Sequence, residues 1–153
     1  MRRLRTILVA VTLLSCSRIA ASADLSAVRA ESNLQKRSDK ALDYAADVVK
    51  TLDKAYHTGG LARTQELLAE IRESVELAYT ALKESGRNPR RHPKYFKRAE
   101  LKTRDLLKRL GDFEDRMAFD DREKLAPLRA YVQKVHDEIL KGVLGAGEWQ
   151  AKQ

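Results

Sequence analysis

Side chains that suit a protein core recur every three or four residues in four separate segments of this 153-residue chain. This spacing brings them to one face of an α-helix, whereas a half-buried strand would alternate apolar and polar residues. The positions are Leu34, Ser38, Ala41, Ala45, Val48, Leu52 and Ala55; Leu61, Thr64, Leu68, Ile71, Val75, Ala78 and Leu82; Phe96, Ala99, Thr103, Leu106, Leu110, Phe113 and Met117; and Leu125, Leu128, Val132, Val135, Ile139 and Val143. The sequence therefore predicts an all-α protein with four amphipathic helices, at about 25–57, 61–85, 94–118 and 122–142.

Three short connections join these predicted helices, at 58–60, 86–93 and 118–121. Short connections favour antiparallel packing of consecutive helices. We therefore expect an antiparallel up-down-up-down four-helix bundle, or alternatively paired long helical hairpins resembling coiled coils, within residues 24–144.

Two local features qualify this prediction near the end of the chain. Pro127 is expected to kink the fourth helix or to delay its start to Ala126, because proline lacks the N–H that a regular helix needs. The segment 145–153 carries glycines and a single tryptophan, Trp149, and its composition predicts a disordered tail.

The first 23 residues have the composition of a secretory signal peptide. Three arginines precede an apolar run at 7–14, and small residues follow it. The apolar run is too short to span a bilayer as a helix. Ala21 and Ala23 form an A-x-A cleavage site that would release a chain beginning at Asp24. We therefore expect a periplasmic or extracellular protein with no transmembrane segment in its mature form.

A second processing route remains open at Cys16, where the preceding residues form a weak lipoprotein-type cleavage box. Under that route the exported protein would be anchored through a lipid on Cys16. Cys16 is the only cysteine, so no disulfide is expected to stabilise the mature fold.

Positive charge is concentrated in one band of the sequence. Residues 85–109 hold ten Lys or Arg and two acidic residues, whereas the formal net charge of the whole chain is +8. Within this band the stretch SGRNPRRHPKYFKR, at 85–98, joins the second and third predicted helices. Pro93 suits the first position of a helix, with His92 as its N-cap.

This predicted helix start conflicts with the helix dipole, whose positive pole favours acidic residues. It presents Lys94, Lys97 and Arg98 before its first acid, Glu100. Each exposed cation in such a place costs about 0.3–1 kcal/mol. Free backbone N–H groups, a positive pole and clustered cations together favour binding of an anion.

The candidate anion-binding residues are Arg87, Arg90, Arg91, Lys94, Lys97 and Arg98. They could hold a phosphate, a carboxylate or an anionic lipid head group. The alternative is that these charges are solvated, or are neutralised by the acidic residues Asp112, Glu114, Asp115, Asp120 and Asp121. Nucleic acid is not an expected partner, because export removes the chain from it and few aromatic residues lie among the cations.

No motif for catalysis, metal or cofactor is recognisable in the chain. Di-iron bundles need Glu-x-x-His pairs, and zinc sites on one helix need histidines four residues apart. Soluble cytochromes b are exported four-helix bundles of similar size, but only His136 lies where they need an axial ligand. We expect His57, His92 and His136 to serve as capping or packing residues, and the protein to be neither an enzyme nor a cofactor carrier.

The glycine turn HTGG at 57–60 resembles the turn of a tetratricopeptide unit, but no period of about 34 residues follows it. From Ser74, the segment SVELAYTALKESGRNPRRHPKYFKRAELKTRDLLKRL resembles an uncharacterised family of secreted, all-helical bacterial proteins. This resemblance extends over most of the mature chain. It implies export and a helical fold, and no activity or ligand.

These observations favour a non-enzymatic interaction or structural module of the bacterial cell envelope. A protein partner, or a second copy of the chain, is expected to bind a helix face. The alternative is a module that binds an anionic envelope component, a phosphate-bearing lipid or polymer, through the basic connection at 87–98.

Overall fold

The computed structural model describes residues 19–146 and 149, with the backbone alone for 19–24. Its helices are α1 (Ile19–Ala30), α2 (Leu34–His57), α3 (Leu61–Glu84), α4 (Pro93–Arg116) and α5 (Arg122–Leu144), with a 3-10 turn at Phe119–Asp121. These residues contain no strand, so the all-α prediction is confirmed. Residues 1–18, with Cys16, lie outside the described part, and the signal peptide and its processing stay predictions.

The helices form two antiparallel hairpins, α2 with α3 and α4 with α5. In the first hairpin, Tyr44 of α2 donates a hydrogen bond to Glu70 of α3. In the second, the buried side chains of Thr103 and His136 meet, with Oγ1 and Nδ1 separated by 3.1 Å. The expected helical bundle of paired hairpins is therefore present.

The two hairpins pack so that α2 and α4 run in the same direction. Lys102 lies 2.6 Å from Asp39 near the starts of these helices, and Arg116 lies 3.1 Å from Asp53 near their ends. The chain therefore crosses one end of the bundle diagonally between α3 and α4. The expectation that the short connection at 86–93 makes its two helices antiparallel neighbours is wrong, because α4 packs on α2 and α5 instead.

The first predicted helix, at 25–57, is also wrong as a single element, because the chain breaks between α1 and α2. Asn33 caps α2, and its side-chain oxygen accepts a hydrogen bond from the Lys36 N–H at 3.0 Å. The Glu31 carboxylate accepts a second bond, from the Asn33 N–H at 3.2 Å. These local bonds satisfy N–H groups that a continuous helix would have paired internally.

The core lies along the predicted apolar stripes. Its largest fully buried side chains are Phe96, Phe113, Leu52, Leu67, Ile71, Leu82, Leu106, Leu110, Leu125, Ile139, Val75 and Val132. Two buried hydroxyl groups, of Thr64 and Ser74, each donate to the carbonyl four residues earlier, at 3.0 and 2.7 Å. Leu61 departs from its stripe and is 56% exposed, because it is the first residue of α3 and lies at the end of the bundle.

Pro127 lies inside α5, which begins at Arg122. The predicted delay of this helix to Ala126 is therefore wrong. Pro127 is the sixth residue of α5, so it removes one internal hydrogen bond, the one that a residue at this position would make to the Glu123 carbonyl, and the helix continues through it. Among the residues that the structure describes, no helix is long and apolar enough to cross a bilayer.

Candidate functional site

The connection between α3 and α4 folds around Asn88. The Asn88 backbone carbonyl accepts bonds from the N–H groups of Arg91 at 3.1 Å and His92 at 2.9 Å. Its side-chain oxygen accepts a third, from the Arg90 N–H at 2.9 Å. The turn therefore satisfies its own backbone and leaves its arginine side chains at the surface, where all of them are exposed.

The same connection is anchored to the end of α5 by packing. Pro89 is buried, and a Cβ atom at Gly142 would lie 3.1 Å from the Pro89 ring and 2.9 Å from the ring of Trp149. The Trp149 ring also meets Phe96 edge-on, at a centroid distance of 5.0 Å. The prediction of a disordered tail at 145–153 is therefore wrong at Trp149, which is half-buried against the core, whereas residues 147, 148 and 150–153 lie outside the described part of the chain.

The start of α4 carries the mismatch that the sequence predicts. Its first turn contains no acidic residue, and Pro93 occupies the beginning of the helix. His92 stands at the N-cap position, but its side chain makes no capping bond, so the capping role expected for it is wrong. The positive pole of α4 therefore faces cations with no side chain of this helix to offset it.

The structure separates the six candidate residues into two groups. Arg98 pairs with Asp39 of α2 at 3.4 Å, and Arg90 donates to the Gly145 carbonyl at the end of α5. Arg87 lies over the ring of Tyr95, 6.0 Å from its centroid. These contacts hold part of the positive charge within the molecule.

The remaining three candidates, Arg91, Lys94 and Lys97, are exposed and have no carboxylate within 4 Å in the described part of the chain. We call residues 87–98 the basic end of the bundle. Of its unpaired cations, Arg91 lies in the turn around Asn88, and Lys94 and Lys97 lie in the first two turns of α4. This surface can donate hydrogen bonds to an anion and balance its negative charge without breaking an existing ion pair.

The acidic residues that the sequence offered as internal partners lie elsewhere. Asp121 accepts bonds from Tyr56 and Lys124, and Glu114 pairs with Arg129, all at the opposite end of α4. The carboxylate that does reach the basic end is Asp39, because α2 and α4 are parallel and their starts adjoin. The sequence gives no sign of this pairing, since residues 39 and 98 are distant in the chain.

An open groove of about 520 Å³ runs between α2 and α4. Its charged side chains are paired across it or along it: Lys102 with Asp43 at 2.7 Å, and Arg109 with Asp105 at 2.6 Å. The groove therefore offers little net charge to a ligand, in contrast to the basic end.

The three histidines lie far apart in the fold. The His57 ring is 2.8 Å from the Asp53 carbonyl at the end of α2, and His136 is buried against Thr103. Within the described residues, no three His, Cys, Asp or Glu side chains come together as a metal site would require. The packing role expected of His136 is therefore confirmed.

Comparison with known proteins found no matching family model, no matching curated protein and no matching solved structure. The resemblance to secreted bacterial proteins therefore stays a prediction. Sequence reasoning also missed Pro89, Gly142 and Trp149 as a packed cluster. The available signal was Gly142 itself, a glycine inside a helix, which often marks close approach of another group.

Proposed function

We propose that this protein is a non-enzymatic helical interaction module of the bacterial cell envelope, periplasmic or extracellular, and that its partner is anionic. The proposed location rests on the signal-peptide features of residues 1–23. The proposed ligand is a phosphate-bearing lipid or polymer that binds the basic end. The observation that carries the proposal is the set Arg91, Lys94 and Lys97, which have no carboxylate partner in residues 19–146 and adjoin the uncapped start of α4.

Physical chemistry supports an anion at this place. The three cations repel one another and the helix pole, at a cost of about 0.3–1 kcal/mol for each at low salt. A bound phosphate would reverse the sign of these interactions and accept charge-assisted hydrogen bonds, each worth about 1.5–3 kcal/mol. The site is solvent-exposed, so salt is expected to weaken the attraction.

The test compares two double variants with the same change of net charge. Lys94→Glu/Lys97→Glu removes cations of the basic end, whereas Lys54→Glu/Lys134→Glu removes exposed lysines of α2 and α5 that also have no ion pair within the described part of the chain. Binding of the full chain to anionic vesicles and to long-chain polyphosphate is measured over a series of salt concentrations. We expect the first variant to lose at least about tenfold in affinity, which corresponds to 1.4 kcal/mol, and the control to lose much less.

Equal losses in the two variants would show a general charge effect and would contradict the proposal. Circular dichroism of both variants checks that the helices are intact. Because all four lysines are exposed, neither variant removes a core contact.

A second candidate function, binding of a protein partner, is favoured by one observation at the opposite end. We call residues 56–61 and 113–124 the far end. It exposes Phe119 at 83% and Leu61 at 56%, and aromatic side chains such as Phe119 are enriched at the centres of protein interfaces. Phe119→Ser should then abolish recovery of a specific envelope protein in a pull-down, whereas Lys94→Glu/Lys97→Glu should leave it unchanged.

A further inference from the structure

The Lys and Arg residues of α4 lie in two rows along the helix. The inner row faces α2 and is paired: Arg98 with Asp39, Lys102 with Asp39 and Asp43, and Arg116 with Asp53. The outer row lies on the solvent side of the helix, at the edge of the groove between α2 and α4, and consists of Lys94, Lys97, Arg104 and Lys108, all exposed. The helix therefore neutralises one side and leaves the other charged.

The outer row is nearly free of internal partners. Arg104 approaches Glu100 at 3.8 Å, and the three lysines have no carboxylate within 4 Å among the described residues. Asp105, the acidic residue nearest the row in sequence, is engaged by Arg109 at 2.6 Å. The outer row thus keeps its charge available over its whole length.

The spacing of the row makes it linear. Positions 94, 97, 101, 104 and 108 alternate steps of three and four residues, which keeps them on one side of an α-helix. Leu101 occupies the middle position and is 51% exposed. At 1.5 Å per residue, the row extends for about 21 Å from its first to its last cation. Arg91 continues the positive charge beyond the start of the helix.

We propose that the outer row extends the basic end into a linear binding site for an extended polyanion, a polymer whose negative charges repeat along its chain. This inference rests on the proposed function and names the ligand class within it. A single phosphate group could contact only one turn of such a row. A polymer would contact successive turns, and each contact would release counterions from it.

The surroundings of the row favour a polymer over a membrane. The side chains of Asp43 and Asp47 on α2 are 62% and 69% exposed, and they would face any flat anionic surface that approached α4 from the α2 side. Because both aspartates are paired with lysines, the α2 side of the helix does not attract an anionic surface. The positive strip is therefore about one helix wide, and Leu101 is the single large apolar side chain exposed on it between positions 94 and 108.

The test measures binding of the full chain to three probes: inorganic phosphate, long-chain polyphosphate, and vesicles rich in anionic lipid. Arg104→Ala/Lys108→Ala removes the distal half of the outer row, outside the basic end, and Lys54→Ala/Lys134→Ala is the matched control. We expect the outer-row variant to bind long-chain polyphosphate at least fivefold more weakly while its affinity for inorganic phosphate changes less than twofold. The slope of log affinity against log salt should fall by about 0.7 for each lost contact.

The outcomes separate this inference from the proposed function. If Lys94→Glu/Lys97→Glu weakens binding and Arg104→Ala/Lys108→Ala does not, the linear site is overturned and the basic end stands. If neither variant differs from its control, both proposals fall. Tighter binding to vesicles than to polyphosphate, with the same sensitivity to the outer-row variant, would identify a membrane surface and overturn the polymer assignment.

Discussion

At the far end of the bundle, the Tyr56 hydroxyl accepts a hydrogen bond from the Ala118 N–H at 2.9 Å and donates one to Asp121 at 3.0 Å. Lys124 completes this cluster by binding the other oxygen of Asp121 at 2.6 Å. At the basic end, the connection is held by its own turn and by packing of Pro89, and its cations extend into solvent. The connection at the far end pairs its polar groups within the molecule, whereas the basic end leaves three cations without a carboxylate partner among the described residues.

The parallel arrangement of α2 and α4 explains this difference. It places the starts of both helices, and therefore two positive poles, at the same end of the bundle. Asn33 caps the start of α2, whereas no side chain caps the start of α4. The free N–H groups at the start of α2 therefore have a side-chain acceptor, whereas those at the start of α4 receive none from the N-cap residue. The proposed anion site therefore lies where local stabilisation is incomplete.

Phe113→Ala should produce the largest loss of stability and tests whether the far end is a packed part of the core. The Phe113 ring is fully buried and meets Tyr56 edge-on at 5.6 Å. Its removal should lower the free energy of unfolding by about 3–5 kcal/mol. Phe119→Ala is the matched control, with the same atoms deleted from an exposed position, and should change it by about 0.5 kcal/mol or less. Urea denaturation measures both, and similar losses would show that the far end is not ordered as described.

Tyr56→Phe tests how much the hydrogen bonds of the Tyr56 hydroxyl stabilise the far end. It removes the hydroxyl that serves Ala118 and Asp121 and keeps the ring. We expect a loss of about 1–2 kcal/mol in the free energy of unfolding. Tyr131→Phe is the control, because the Tyr131 hydroxyl makes no hydrogen bond to the part of the chain that is described. If the two variants were equally stable, the Tyr56 cluster would contribute nothing to holding the far end.

Gly142→Ala tests the packing that holds the basic end. Alanine is favoured over glycine in a helix by about 1 kcal/mol, but its Cβ at this position would collide with Trp149 and press on Pro89. Gly111→Ala, whose Cβ would meet only Arg129 at 4.0 Å, should gain most of that stabilisation. We expect Gly142→Ala to be less stable than Gly111→Ala by about 1 kcal/mol.

The fluorescence of Trp149, the only tryptophan in the chain, gives an independent measurement for this pair. Gly142→Ala should shift its emission to longer wavelength by moving the ring into water, and Gly111→Ala should not. An unchanged spectrum in Gly142→Ala would mean that the tail does not pack on the connection.

Helix existence could be predicted from the sequence because the three-four spacing is a local property. The break at 31–33 was missed although the sequence signals it: the buried Val28 and the half-buried Leu34 are six residues apart, which interrupts the three-four spacing, and Asn33 is a residue type typical of an N-cap. The parallel packing of α2 on α4 depends on distant surfaces, and no local pattern encodes it.

The same limit applies to the candidate site. The cluster of cations could be predicted from the sequence. That Arg98 is neutralised by Asp39 while its neighbour Lys97 is not could be known only from the packing of α2 on α4.

The smallest expected effect is the response to acid, which compares one carboxylate from each end. At the far end, the Lys124 ammonium and then the Tyr56 hydroxyl hold the pKa of Asp121 below its usual value. Beside the start of α2, Lys40 and the Asn33 N–H lower the pKa of Glu31. A carboxyl group whose pKa is lower in the folded state stabilises the fold above its unfolded pKa, and this stabilisation is lost as pH falls through the folded value.

Both groups should therefore contribute to a decline in the free energy of unfolding as pH falls below about 4. Asp121→Asn and Glu31→Gln each remove one titrating group, so each variant should start less stable at neutral pH and lose less on acidification than the parent chain. Urea midpoints measured between neutral and acid pH give this difference. Asp121 should show the larger change, because its carboxylate accepts from two side chains that tie the 3-10 turn to both α2 and α5. A larger change for Glu31→Gln than for Asp121→Asn would place the more important acid-sensitive contact at the junction of α1 and α2. The far end would then be stabilised mainly by the packing of Phe113 rather than by its charged groups.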